Sequence, residues 1–265
     1  MTGLDLELLS LLALVGLVAG LVDAIAGGGG LITVPALLVA GLDPVTAVAT
    51  NKLQGTFGSA SATYAFARAG KIGWREALPM AAVALVGSVG GALTVKLLPV
   101  ALLAGVMPLV LIGVAVYFAL SPKVRDADAR RRITPLAFMA SVAVGVGFYD
   151  GVFGPGAGSF YMLGFVTLLG FGVVRATAHT KLLNFASNLG ALVFFAVAGA
   201  IVWPLGLVMG LCQFAGAQIG ARMALRHGAR LIRPLIVVVC CAMAVRLLVD
   251  PANPLRVTVL AMLGI

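Results

Sequence analysis

Four ionisable residues stand deep in apolar sequence: Asp23, Lys52, Asp150 and Lys181. On insertion scales each such group costs about 2.5–3.5 kcal/mol at the centre of a membrane helix, so it must face a cavity, a counter-charge or both. Two carboxylates and two ammonium groups in that setting allow three kinds of chemistry. They can form structural ion pairs, expected within each half of the chain as Asp23 with Lys52 and Asp150 with Lys181. The lysines can bind an anion. The carboxylates can carry a proton. An anion that engages a lysine removes part of what keeps the neighbouring carboxylate ionised, so anion and proton binding reinforce each other. The sign of that linkage predicts symport.

A glycine cluster follows each carboxylate. "GLVDAIAGGGG" carries Gly27, Gly28, Gly29 and Gly30 after Asp23; "GFYDGVFGPGAGS" carries Gly154, Gly156, Gly158 and Ser159 after Asp150. Glycine permits positive φ and close backbone approach. Successive exposed amides form an anion-binding nest, and a helix starting near Leu31 points its N-terminal dipole at the same place. Polar residues accompany each lysine: Thr50, Asn51, Gln54, Ser59 and Ser61 in one stretch, His179, Thr180, Asn184, Ser187 and Asn188 in the other. Lys181, Asn184 and Asn188 share a helix face by spacing, as a pathway lining does. His179 reads as a hydrogen-bonded packing residue. No His/Cys/Asp/Glu spacing suggests a metal, and "GPGAG" lacks the strand, helix and Lys-Ser/Thr ending of a nucleotide loop.

The elements that must hold these groups are membrane helices. Of the 265 residues 62% are hydrophobic and 10% charged, too few polar residues to cover a soluble surface. Runs 6–24, 45–67, 76–96, 99–120, 134–151, 175–198, 203–225 and 231–248 are long enough to span a bilayer. Shorter runs, 31–42 and 159–171, follow the glycine clusters. A β-barrel would show short alternating segments instead. The net charge of +9 does not point to nucleic acid, because the basic residues gather in short loops. The densest, 121–132, reads as a solvated cytoplasmic connector. Cys212, Cys240 and Cys241 read as packing residues. "AIA" at 24–26 resembles a signal-peptide cleavage site, but no basic stretch precedes it and 6–24 is expected to be a retained span.

The chain repeats. Asp23 falls on Asp150 and Gly27 on Gly154; after a two-residue shift Lys52 falls on Lys181, Ser59 on Asn188, Gly87 on Gly216 and Gly91 on Gly220. The expected organisation is a first transmembrane repeat at 1–120, a basic linker at 121–132 and a second repeat at 133–265. Counting the short runs as elements gives five per half and makes the halves inverted. Of the 18 basic residues, less the two buried lysines, thirteen then lie on one side and three on the other, a strong positive-inside score. That arrangement puts loops 68–76, 121–132 and 222–233 in the cytoplasm and both termini outside. A twelve-residue helix rises only about 18 Å against a core of about 30 Å. The short elements must therefore be half-helices, tilted, or extended by non-helical backbone. Isolated Gly87 and Gly91 are assigned to helix packing.

On "GLVDAIAGGGGLITVPALL", "ATNKLQ", "FYDGVFGPGAGSF" and "HTKLLNFASN", the sequence resembles the TauE/SafE-type sulfite exporters, the TSUP permeases, over essentially its whole length. The resemblance implies a multi-pass permease of the bacterial inner membrane that moves small sulfur-containing anions: sulfite, thiosulfate or organosulfonates. It implies no prosthetic group and no enzymatic activity. Motif matching carries over Asp23, Gly27 to Gly30, Asn51 and Lys52, and Asp150, Gly154, Gly156, Gly158, Ser159, Lys181, Asn184 and Asn188. Gln54 and Thr180 join the expected substrate-binding set from the polar stretches, and Asp23 and Asp150 are the expected proton carriers. The expected partners are the anion, protons and the lipid bilayer, with a homo-oligomer possible and no nucleic acid. The alternatives are a transporter of a different small organic anion, an anion channel and, remotely, an intramembrane aspartyl protease. For the last, "YD" at 149–150 fits, but the partner G-x-G-D motif is absent.

Overall fold

In the computed structural model, which describes residues 6–94, 112–120, 125–249 and 257, the apolar runs fold into helices. These are α1 (Leu6–Ala26), α2 (Gly29–Val39), α3 (Pro44–Arg68) and α4 (Trp74–Thr94), then a helical stretch at 112–120. The second half contributes α5 (Pro135–Val152), α6 (Ala157–Thr167), α7 (Val173–Val197), α8 (Trp203–His227) and α9 (Ala229–Val249). Of the expected span 99–120, residues 99–111 lie outside the described residues, as do Lys96, Lys123 and Arg256. Among the described helices α1, α4, α5, α7 and α8 are long and apolar enough to cross a membrane. The chain is a polytopic helical membrane protein. Apolar side chains such as Leu11, Leu14, Val86, Val193 and Leu211 are exposed, whereas Lys52, Lys181, Gln54, Ser187 and Gln213 are buried. That distribution suits a lipid solvent.

Helix ends follow local chemistry. Asp43 caps α3, accepting from the amides of Val45 and Thr46; the Thr46 side chain first, and then these amides, hold its carboxyl below the usual carboxylate range. Gly70 and Gly199, both at positive φ, close α3 and α7 in the same way, with Lys71 N–H returning to Phe66 and Ala200 N–H to Phe195. Within α5 a π-turn at Met139–Ala143 interrupts the α-helical ladder.

The two short helices are 11 residues each and rise only about 16 Å. Each turns the chain back to where its partner began. Leu168 O accepts from Arg132 N–H and Ile133 N–H, so the end of α6 sits at the start of α5. Leu37, Ala40 and Leu42 pack with Leu8, Leu9 and Leu12, so the end of α2 sits at the start of α1. Both helices start two residues before the apolar runs suggested. Gly29 rather than Leu31 opens α2, because the Asp23 carboxylate accepts from the Gly29 amide.

Contacts between the halves come in exchanged pairs. Helix α1 packs on α8 and α5 on α4; α3 packs on α8 and α7 on α4; α3 and α7 cross each other. Gly73 N–H donates to His179 Nε2 at 3.3 Å, and Val202 N–H donates to Thr50 Oγ1 at 3.2 Å. In the sequence repeat Gly73 falls on Val202 and Thr50 on His179, so one bond is the image of the other. Each bond also ties the end of one of these helices to the beginning of the other, so α3 and α7 run antiparallel. His179 is a packing residue as expected: it is buried, its Nδ1 is bonded to Arg175 O, and it lies against Phe165 and Phe171.

Glycine sets the closeness of the α1–α8 and α4–α5 contacts. A Cβ on Gly87 or Gly91 would meet the carbonyl of Val144 or Phe148, and one on Gly216 or Gly220 that of Leu17 or Leu21. Gly216→Leu is therefore expected to cost about 1–3 kcal/mol or more through overpacking. Gly145→Leu, with nothing among the described residues within 4 Å of its would-be Cβ, is expected to be neutral. Thermal melts of the two variants in detergent check this.

The linker is exposed but docked. Asp128 accepts from Gly172 N–H and Arg175, Asp126 accepts from Ala229 N–H, and Arg131 reaches Glu76 at the start of α4. It is a strap across loops of both halves rather than a free connector. Partial burial works against ionisation of Asp128, but the Gly172 amide and the Arg175 guanidinium outweigh it and hold the carboxyl below its usual range.

Candidate functional site

The four charges meet, and their pairing is crossed. Lys52 Nζ donates to Asp150 Oδ1 at 2.7 Å and also to the Asp150 carbonyl; Lys181 Nζ donates to Asp23 Oδ2 at 3.1 Å. The pairs expected within each half, Asp23 with Lys52 and Asp150 with Lys181, do not form. The physical reason is the interleaving of the halves. The tips of the α1–α2 and α5–α6 units meet, so each lysine lies beside the other half's break. Both lysines are buried to 0% exposure, and neither faces lipid.

The two glycine breaks touch. A Cβ on Gly27 would strike the backbone of Gly158 and Ser159, and one on Gly158 would strike Gly27 and the Asn184 amide. The Ser159 hydroxyl donates to Ala26 O. Gly27, Gly154 and Gly156 have positive φ, where a side chain is strained. Gly154 also leaves room for the Lys52 ammonium, which would lie 2.6 Å from a Cβ there. Gly28 packs towards Val239 on α9 and Gly29 against Asp23, whereas Gly30 faces Asn51.

Hydrogen bonds fix the remaining groups. The Ser187 hydroxyl donates to Asp150 Oδ2. Asp23 Oδ1 accepts from Gly29 N–H at 3.1 Å, so the expected amide nest at α2 is already partly filled by a carboxylate, which the helix dipole favours. Asn51 Oδ1 accepts from Thr33 at 2.6 Å and from Gln54 at 3.1 Å. Asn188 donates to Asn184 O.

Between these groups lies a cavity of about 30 Å³. Asp23, Asp150, Asn51, Asn184, Asn188 and Gln213 contribute to its wall, together with the glycines of both breaks. At about 10–15 Å³ per water it admits about two waters, so this conformation is constricted around the site. Among the described residues, the oxygens Asn184 Oδ1, Gln213 Oε1, Gln54 Oε1 and Thr180 Oγ1 are buried without a hydrogen-bond partner. Such groups cost about 1–3 kcal/mol each while unsatisfied; the three amide oxygens want a donor from water, from a proton or from a bound species, and the Thr180 hydroxyl wants a donor or an acceptor.

Sequence reasoning missed Gln213, Thr33 and Gly55, and it saw Ser187 only as part of a polar stretch. Gln213 is 2% exposed; Gly20 and Gly58 leave the room it occupies. Its signal was an amide, one of two with Gln218, within the apolar run 203–225, with Ala84 at the equivalent place in the first half.

A polytopic helical protein with a buried, charged, constricted polar centre between two interleaved halves is built as a transporter is. The chain belongs to the sulfite exporter TauE/SafE family, whose sequence profile matches residues 12–247; it is a member of a transporter family and not an enzyme. It is 52% identical to the "Probable membrane transporter protein ORF9" of Sinorhizobium sp, over 97% of this chain and 98% of that one. It is 47% identical to "Probable membrane transporter protein YfcA" of Escherichia coli K12, over 92% of this chain and 90% of that one. A "Probable membrane transporter protein" of Haemophilus influenzae is 40% identical, over 93% of this chain and 97% of that one. No solved structure matches the chain significantly.

Proposed function

We propose that the chain is a proton-coupled secondary transporter of a small sulfur-containing anion such as sulfite, thiosulfate or an organosulfonate, in the bacterial inner membrane. The observation that carries this reading is the crossed pairing of Lys52 with Asp150 and Lys181 with Asp23. The four charges sum to zero. A monovalent anion that takes a lysine leaves the site one charge negative and a carboxylate without its partner. One proton on that carboxylate restores neutrality, and a divalent anion needs two. Charge balance in a poorly solvated site thus favours anion and proton together. In this reading Lys52 and Lys181 hold the anion, Asn51, Gln54, Thr180, Asn184, Asn188, Ser159 and the glycine amides shape its seat, and Asp23 and Asp150 carry the protons.

We also read the halves as inverted repeats working by alternating access. The antiparallel crossing of α3 and α7, the exchanged hydrogen bonds Gly73–His179 and Val202–Thr50, and the meeting of two glycine breaks support this. Broken helices that meet around a substrate site are the common device of such transporters. A rocking of the halves stretches both ion pairs at once, so occupancy and conformation are coupled. The strap and its basic loops face the cytoplasm by the positive-inside rule. Flux of labelled sulfite, thiosulfate and sulfoacetate into proteoliposomes tests the reading. At least one is expected to move faster with an inward proton gradient; movement of none, with folded protein, would remove the sulfur-anion assignment.

A further inference from the structure

A cavity of about 480 Å³ lies well away from the crossed ion pairs, between the strap and the end of α6. Its wall is Arg130, Arg131, Arg132, Tyr117, Val166 and Thr167, with Ala129 and Gly170 completing it. The strap's charges are sorted by direction. Its acids are engaged elsewhere: Asp126 with the Ala229 amide, Asp128 with Arg175 and the Gly172 amide. Arg131 pairs with Glu76. Arg130 and Arg132 are exposed, and among the described residues neither has an acidic partner. Two carbonyls beyond the end of α6 are taken by backbone amides rather than by these side chains. Leu168 O accepts from the Arg132 and Ile133 amides, and Gly170 O accepts from Ala129 N–H. Two guanidinium groups without an acidic partner among the described residues therefore share a cavity with an aromatic and aliphatic wall, at the basic end of a membrane protein.

We propose that this cavity is a phosphate site, filled by the headgroup of an anionic phospholipid. Guanidinium forks match phosphate oxygens in bidentate fashion, and basic pockets beside membrane helices attract anionic headgroups. Tyr117 and Val166 supply the apolar surface that the upper acyl chain needs and a free phosphate does not. The site has a route to the transport centre. The strap's backbone is bonded to the end of α6, and α6 begins at the Gly154–Gly158 break. A headgroup that ties Arg130 and Arg132 together stiffens the seat on which α6 rests.

The test is native mass spectrometry of the whole protein released from nanodiscs of mixed phosphatidylglycerol and phosphatidylcholine. Each arginine is expected to contribute roughly fivefold to the preference for the anionic lipid, about 30-fold for the two. Arg130→Gln/Arg132→Gln is expected to lose that preference, and Arg68→Gln, an exposed charge elsewhere, to keep it. Circular dichroism verifies that all three proteins are folded. Failure of excess inorganic phosphate to displace the lipid supports the lipid as the source; displacement supports the phosphate site but assigns its supply to solution. Equal lipid retention by wild type and the double variant, or equal loss in Arg68→Gln, overturns the proposal. Lipid retention is read without any substrate, so it can fail while the transport reading stands, and the reverse.

Discussion

Lys52→Ala is expected to lose anion binding and transport together, and to destabilise the protein by about 3–5 kcal/mol, because it leaves Asp150 buried without its partner. Lys52 donates both to the Asp150 carboxylate and to its main-chain oxygen, whereas Lys181 makes one bond of 3.1 Å to Asp23. Lys181→Ala should therefore destabilise less, though it too loses transport. Stability and function are separated by a second change. In the Lys52→Ala background, Asp150→Asn removes the stranded charge and keeps an acceptor for Ser187. Most of the lost melting temperature should return, and no transport should. If the double variant transports at the wild-type rate, the lysine is a structural partner of Asp150 and not the seat of the anion.

Gly27→Ala and Gly158→Ala are expected to be nearly as damaging, for a different reason. At Gly27 a Cβ meets the backbone of Gly158 and Ser159 at 2.7–2.9 Å, and φ is +80°. The left-handed backbone costs about 1–2 kcal/mol for a residue with a Cβ, and the overpacking a further 1–3 kcal/mol or so. Gly158→Ala carries the clash alone, against Gly27 and Asn184. Gly41 separates the two contributions: its φ is +90° but nothing among the described residues lies within 4 Å of a Cβ there, so Gly41→Ala should show only the smaller conformational cost. Melting temperatures of the three variants in one detergent give the ranking. Equal shifts for Gly41→Ala and Gly27→Ala would mean that contact between the breaks is unimportant to the fold.

Much of this arrangement is legible in the sequence because membrane helices announce themselves by run length and because charges in such runs are costly enough to be few. Asp23, Lys52, Asp150 and Lys181 stand out for that reason, and the glycine clusters mark the breaks. The identity of each charge's partner is not legible. It depends on α1 packing against α8 and α5 against α4, which is decided by small residues such as Gly91 and Gly216 rather than by any pattern around the charges. Gln213 escaped because the run holds two amides, Gln213 and Gln218, and nothing around them says which one faces the site; the space for Gln213 comes from Gly20 and Gly58 on two other helices. The linker looked solvated because its composition is charged. Its docking rests on Asp126 and Asp128 meeting backbone amides about 45 to 100 residues away, which composition does not record. Local capping moved the starts of the short helices: the Asp23 carboxylate extends α2 back to Gly29.

The coupling of anion and proton at the crossed pairs is tested most directly by uptake into proteoliposomes at fixed membrane potential, with and without an inward proton gradient. The proteins compared are wild type, Asp23→Asn and Asp150→Asn, with binding measured by calorimetry alongside. Wild type should be accelerated by the gradient. Because asparagine imitates the protonated carboxylate, at least one variant should still bind the anion and should lose that acceleration. Full gradient-driven transport by both asparagine variants would contradict the account, and would leave Asp23 and Asp150 as structural partners of Lys181 and Lys52.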